Sequence, residues 1–136
     1  MKRIASLQLF VFSYKECQFE KKSSETSLRL TYAGDIRVLT SSGKSVCSRW
    51  FVTVNGRECA SPGSIDAVIH SNTKSLNIHR PAYIDGFCDG IPRGIVTVGL
   101  VIGACGTWPG VATPGEGYTC WNSYCRLIIE EIEKSQ

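Results

Sequence analysis

No stretch of this 136-residue chain is apolar for long enough to cross a membrane as a helix. Such a helix needs about 20 apolar residues in succession, and the longest candidate, from Gly94 to Gly103, has about half that length. The 13 glycines form no Gly-x-y repeat, so the chain contains no collagen triple helix. We predict neither a membrane span nor a collagenous stalk.

The chain also has no large excess of charge of either sign. The formal net charge is only +3, and basic residues alternate with acidic ones along the chain. Nucleic-acid binders usually concentrate Lys and Arg on one face or in one segment. The sequence therefore predicts no nucleic-acid partner, and a weak basic patch for sulfated glycans is the alternative that remains.

Residues for catalysis are few. The only histidines are His70 and His79; no sequence frame ties them to a cysteine, and a nucleophile elbow of the form Gly-x-Ser-x-Gly is absent. No second ligand stands two or four residues from His79, as a zinc site would need. We predict a non-enzymatic protein without cofactor or metal. His79 and Arg80 are binding candidates because both can donate hydrogen bonds; alternatively, His79 and Asn77 share a strand face and hold a loop.

The three tryptophans fall into two groups. Trp50 and Trp121 lie on strand patterns, so we expect both in the core. Trp108 lies beside Pro109 in a glycine-rich loop. An exposed Trp there would be an anchor for a binding partner, whereas the alternative is that it folds back over the end of the domain.

Seven cysteines are many for this length, and none stands in a Cys-x-x-Cys pair. Such usage is typical of oxidising compartments, so we predict disulfides and an extracellular, secreted location. The alternative is that several cysteines are small buried hydrophobic residues. An odd number leaves at least one thiol free or bonded to another chain. The candidates for disulfides are Cys17, Cys47, Cys59, Cys88, Cys105, Cys120 and Cys125.

Cys120 and Cys125 stand close together, and we predict a disulfide between them. On a straight strand their Cα atoms would be about 16 Å apart, beyond the limit of about 7 Å for a disulfide. The bond therefore requires a bend, and Asn122 and Ser123 are turn-forming residues at that place. We expect a turn there and a strand from about Tyr124. If the strand runs straight, Cys120 must pair elsewhere.

Apolar and alternating runs recur along the chain with turn signals between them. The clearest one ends at Asn55-Gly56, a pair typical of a type I′ hairpin turn. With a turn at that place, Cys47 lies beyond the short return strand that carries Cys59, so these two cysteines cannot bond within the hairpin. The spacing predicts one all-β domain over residues 14–136, an antiparallel sandwich. The predicted strands are Tyr14–Glu20, Ser27–Tyr32, Ile36–Thr40, Val46–Val54, Ile65–His70, Ser75–His79, Gly94–Ile102 and Trp121–Ile132.

Three further expectations concern the two ends of the chain and one turn between strands. Within residues 1–13, Lys2-Arg3 before an apolar run resembles a signal peptide, but the run is short, and alternatively Leu7–Phe12 leads into the first strand. Gly34-Asp35 is predicted to be a turn between two strands. Near the other end, Glu130 and the residues after it are expected at the solvent end of the last strand.

One strand is apolar on both faces. Its β-branched residues and bracketing glycines favour a strand over a buried helix. A strand of this kind normally buries its second face against something, and another copy of the chain is one candidate. The residues of this predicted interface are Ile95, Val96, Val98, Leu100 and Ile102.

Several motifs between residues 14 and 133 resemble the carboxy-terminal domain of the collagen triple helix repeat-containing protein 1 family. Cys120 and Cys125 have no counterparts in that family's pattern. The matching motifs are Arg49-Trp50-Phe51, Asn55-Gly56-Arg57-Glu58-Cys59, Asn77-Ile78-His79-Arg80, Gly86-Phe87-Cys88-Asp89-Gly90-Ile91, Gly103-Ala104-Cys105, Trp121-Asn122-Ser123 and Arg126-Leu127-Ile128-Ile129-Glu130-Glu131.

The resemblance implies a Greek-key jelly roll that forms a homotrimer, similar to complement globular heads and tumour necrosis factor-like ligands. It also implies a secreted matrix protein that affects collagen deposition and modulates Wnt signalling through Wnt ligands and Frizzled-type receptors. The alternative function is a carbohydrate-binding module, because jelly rolls also host lectins.

Overall fold

Ten strands make up the described part of the chain, which comprises residues 2–10, 15–40, 45–72, 75–105 and 116–134 of a computed structural model. No helix in these ranges is long and apolar enough to cross a membrane. Trp108 lies outside the described residues. The strands are β1 Lys2–Phe10, β2 Lys15–Lys21, β3 Thr26–Thr40, β4 Val46–Val54, β5 Arg57–Glu58, β6 Asp66–Ser71, β7 Leu76–Cys88, β8 Gly94–Ala104, β9 Glu116–Thr119 and β10 Cys125–Glu133.

The strands form two antiparallel sheets. The first has the order β1-β10-β3-β7, and β9 also pairs with β3. The second has the order β2-β8-β4-β5, and β6 also pairs with β4. The predicted all-β antiparallel sandwich is confirmed, and the predicted hairpin is present, with Asn55 at φ 53° and Gly56 at φ 79°.

The core lies between the sheets and follows from the alternation of side chains along each strand. In β3 most even-numbered residues are buried, and most odd-numbered residues lie on the outer face. Burying one Leu, Ile or Val side chain contributes about 1.5–3 kcal/mol. The fully buried side chains include Leu28, Leu30, Tyr32, Val38, Trp50, Val52, Leu100, Leu127 and Ile129.

Two strands are longer than the sequence predicts. β3 passes through Gly34-Asp35 without turning, because β7 pairs with it along its length, from Leu28 opposite Cys88 to Thr40 opposite Leu76. In β7 the prediction ended at His79, before Pro81. A proline is tolerated in this strand because β7 lies at the edge of its sheet, where the missing N–H faces no partner strand.

The predicted interface strand is mostly core. Val96, Val98 and Leu100 are buried within one chain, and Ile102 is partly buried against the same core. The prediction that they line an interface is therefore wrong for the three buried residues, since the facing sheet covers them. Only Ile95 lies on the opposite face of β8, where 62% of its surface is exposed.

Glu130 and Glu131 are buried, so the expectation that they lie at a solvent end is wrong. The carboxylate of Glu131 accepts hydrogen bonds from the backbone N–H of Lys22 at 2.9 Å and of Ser23 at 3.1 Å. It also accepts one from the Thr26 hydroxyl at 2.6 Å. These bonds connect the β2–β3 turn to β10. They also replace the hydrogen bonds to water that a carboxylate loses on burial.

Two disulfides cross-link the strands of the sandwich. Cys47 bonds to Cys105 within the second sheet, and Cys59 bonds to Cys88, which joins the hairpin to the end of β7 in the other sheet. Each contributes about 4 kcal/mol if it acts by restricting the unfolded chain. Cys17 is buried and belongs to none of the disulfides seen.

Val98 and Ile95 provide a matched test of the burial along β8. We expect Val98→Asp to abolish the cooperative thermal unfolding transition, because an unpaired charge in the core is costly. Ile95→Asp should change the free energy of unfolding by no more than about 0.5 kcal/mol, as is usual at an exposed position. Circular dichroism melting curves check both, and a folded Val98→Asp protein that merely loses subunits would restore the interface prediction.

Candidate functional site

A loop of residues 120–125, here called the Trp121 loop, projects from the first sheet between β9 and β10. Both strands pair with β3, with Thr119 opposite Ile36 and Arg126 opposite Ala33. Only Gly34 and Asp35 of β3 therefore stand opposite the loop. Because the loop has more residues than the strand beside it can pair, it must bulge outward.

A disulfide between Cys120 and Cys125 closes this loop, with 5.4 Å between the Cα atoms. The structure thus has the predicted bond, the bend and a strand that begins at Cys125. A bond across so short a loop adds only about 2 kcal/mol of chain entropy, so its main effect is local. Cys120 and Asn122 have positive φ values of 65° and 52°, a conformation that Asn adopts readily and Cys only rarely.

Gly34 and Tyr32 of β3 hold the disulfide in place. A Cβ atom on Gly34 would lie 2.6 Å from the Cys125 Sγ, so only glycine leaves room for it. The Tyr32 hydroxyl donates to the Asp35 carbonyl at 2.6 Å and lies 3.1 Å from the same sulfur. Burial raises the pKa of Tyr32, with the nearby Asp35 charge adding to the effect, so this hydroxyl remains a donor.

The loop exposes Trp121, which packs on His79 of β7 with 4.8 Å between ring centroids. The imidazole Nδ1 of His79 lies 3.3 Å from a carboxylate oxygen of Asp35. Trp121 is 57% exposed, so the expectation of a core position is wrong. The predicted bend between Cys120 and Cys125 was the signal that placed Trp121 in a turn rather than in a strand.

A groove of about 590 Å³ lies beside the loop, and Arg37 is among the residues that line it. The Arg37 guanidinium lies 5.5 Å from the centre of the Tyr118 ring, and its Nε donates to the Asn77 side chain at 3.0 Å. Tyr124, at the other side, is 67% exposed. We call Arg37, His79, Tyr118, Trp121 and Tyr124 the Trp121 surface. No sequence signal marked Arg37 or Tyr118, because pairing of β9 with β3 brings them together.

The side chains of the predicted pair His79 and Arg80 lie on opposite faces of β7. Successive residues of a strand point to opposite faces, so His79 joins the Trp121 surface and Arg80 points elsewhere. Arg80 lines a second groove, of about 550 Å³, between the edges of β6 and β7. We call this the edge groove; it is lined by Ile36, Ala67, Val68, Ile69, His70, Ile78, Arg80, Pro81, Ala82, Tyr83 and Ile84.

Cys88 and Cys105 are both in disulfides. Neither can act as a nucleophile with His70 or His79 in this state, because attack requires a thiolate. Within the described ranges, no three Cys, His, Asp or Glu side chains cluster as metal ligands. The Trp121 surface presents aromatic rings beside the guanidinium of Arg37 and the imidazole of His79.

We expect Gly34→Ala to disturb the Trp121 loop, because the added methyl group must displace the Cys125 sulfur or the β3 backbone. Overpacking of this kind costs about 1–3 kcal/mol. The control is Gly63→Ala, where no atom lies within 4 Å of the new Cβ. Thermal melting and titration of free thiols check the outcome. Equal melting temperatures and no new thiols for both variants would contradict the role assigned to Gly34.

Arg49 and Glu58, from two of the motifs that resemble the family, have a structural role. Arg49 donates to Asp66 at 2.7 Å and to Glu58 at 3.0 Å, and the hydrogen bond from Arg49 lowers the pKa of Glu58. A family model described as the CTHRC1 C-terminal domain matches residues 11–129. Three disulfides together with this match fit an extracellular protein. The chain belongs to the CTHRC1 C-terminal domain family and is a CTHRC1-like extracellular module.

Proposed function

We propose that this chain is a secreted, non-enzymatic module that binds other extracellular proteins through the Trp121 surface. The observation that carries the proposal is Trp121 itself, which is more than half exposed on a disulfide-closed loop. Trp, Tyr and Arg are the residues that most often supply the binding energy of protein interfaces. A loop already fixed in place loses little conformational entropy on binding.

The partner class follows from family membership. Wnt ligands and Frizzled-type receptors are the proposed partners, with modulation of Wnt signalling and collagen deposition as the outcome. The Trp121 surface supports this proposal by its chemistry, since aromatic rings lie among donors from Arg37 and His79. Such a surface can bury rings while satisfying polar groups of a protein partner.

We also propose that the module assembles as a homotrimer through the edge groove. β6 and β7 are edge strands of the two sheets, and the sandwich is open between them. Val68 is 51% exposed and Tyr83 is 65% exposed at this opening. Exposed apolar residues along sheet edges favour association with another chain, and the family resemblance favours a further copy of the same chain.

The alternative function is a carbohydrate-binding module. Exposed ring faces of Trp121 and Tyr124 beside the polar side chains of Asn122 and Ser123 are the observation that favours it. A glycan array would separate the two functions. Saturable binding of neutral sugars that persists in high salt would favour the alternative.

We expect Trp121→Ala to weaken binding of a Frizzled-type receptor ectodomain or a Wnt ligand about 30-fold, the effect of losing about 2 kcal/mol at a central anchor. The control is Phe87→Ala, an aromatic residue that is 46% exposed on the same sheet. Surface plasmon resonance measures both variants, and their melting temperatures should match that of the wild type. Undiminished affinity of folded Trp121→Ala would refute the proposal.

Assembly has a separate test. Native mass spectrometry of the wild-type chain at micromolar concentration should give a trimer, and Val68→Asp should give a monomer, because it replaces an exposed apolar side chain of the edge groove with a charge. Ile95→Asp, on the exposed face of β8, should leave the trimer intact. A monomeric wild type, or a trimeric Val68→Asp variant, would rule out assembly through the edge groove.

A further inference from the structure

Arg37 differs in its partners from Arg29 and Arg49, two other arginines of the inner strands. Arg29 donates to Asp85 at 3.0 Å, and Arg49 pairs with Asp66 at 2.7 Å, so both charges are neutralised. Arg37 is held by the Tyr118 ring and by Asn77. Among residues whose side chains the structure describes, no carboxylate lies within ion-pair distance of it.

Basic residues that are far apart in the sequence flank the Trp121 loop in the fold. Arg37 stands opposite Tyr118 on one side of the loop, and the exposed Arg126 stands opposite Ala33 on the other. Their positions along β3 are about 13 Å apart, given a rise of about 3.3 Å per residue. The carboxylate between them, Asp35, faces the imidazole of His79. Among the side chains that the structure describes, this end of the sheet therefore carries more positive than negative charge.

We propose that the Trp121 surface binds sulfated glycans, with Arg37 as the sulfate-binding residue, an activity beyond the protein-binding function. A planar guanidinium fixed by two neighbours presents its remaining N–H groups to an oxyanion with little loss of entropy. Such charge-assisted hydrogen bonds are about twice as strong as neutral ones. The exposed rings of Trp121 and Tyr124 supply flat apolar faces against which a sugar ring can pack.

A sulfated polysaccharide fits the surface better than an acidic peptide does. Its negative charges repeat along the chain, so one ligand can reach both Arg37 and Arg126 across the loop. The groove is lined by hydroxyl and amide groups as well as by rings. These groups can exchange hydrogen bonds with the hydroxyls of a sugar.

The test compares Arg37→Gln with Arg57→Gln, which removes the same charge at the exposed hairpin turn. The probe is a heparin-derived oligosaccharide, with its chemically desulfated form alongside. Arg37→Gln should weaken binding of the sulfated probe about tenfold, the loss expected for hydrogen bonds to a charged group. Arg57→Gln should change it less than about twofold, and raising the salt concentration should weaken wild-type binding because the attraction is electrostatic.

Three results would overturn the proposal. They are equal affinity of the two variants, equal binding of sulfated and desulfated probes, and tighter binding of a poly-glutamate peptide than of the sulfated probe. Circular dichroism confirms that Arg37→Gln is folded, and Arg37→Lys, which keeps the charge without the planar fork, should retain part of the affinity. Because the purified chain and glycan alone are measured, the outcome is independent of whether a Wnt or Frizzled-type partner binds.

Discussion

Strand β3 is the element on which both the core and the candidate site depend. It pairs with β7 on one side and with β10 and β9 on the other. Its alternation sends Tyr32, Ile36 and Val38 into the core, and Arg37 and Asp35 to the outer face. A shift of one residue in its register would exchange these two sets. The core therefore fixes which residues reach the candidate surface, because a one-residue shift would expose the apolar set.

The Trp121 loop shows how a sheet can present a large aromatic side chain without losing stability. β9 and β10 are separated by an insertion that has no partner in β3, and the Cys120–Cys125 bond confines the insertion to one short turn. Gly34 makes that bond sterically feasible. In the closed loop Trp121 stays 57% exposed, and its ring packs on His79.

Family membership and the candidate site share Trp121 and His79, but each also depends on residues of its own. The hairpin motif contributes an ion pair from Arg49 to Glu58 and a disulfide at Cys59, both of which support the fold. The Trp121 loop instead depends on Cys120 and Cys125, which lie outside the family pattern known from the resemblance. The hairpin residues support the fold, and the Cys120–Cys125 disulfide closes the loop that carries the candidate surface.

Interactions between residues that are close in the sequence determined much of this protein's structure. Period-two alternation and Asn55-Gly56 predicted the sandwich and the hairpin, because side-chain direction and turn conformation depend on adjacent residues. The bend between Cys120 and Cys125 followed from the geometry of a disulfide alone. Only the tertiary structure decided that Val98 faces a covering sheet rather than another chain, and that Arg37 lies beside Tyr118. Both depend on which strands pair, and pairing is set by the packing of the whole core rather than by any local stretch of sequence.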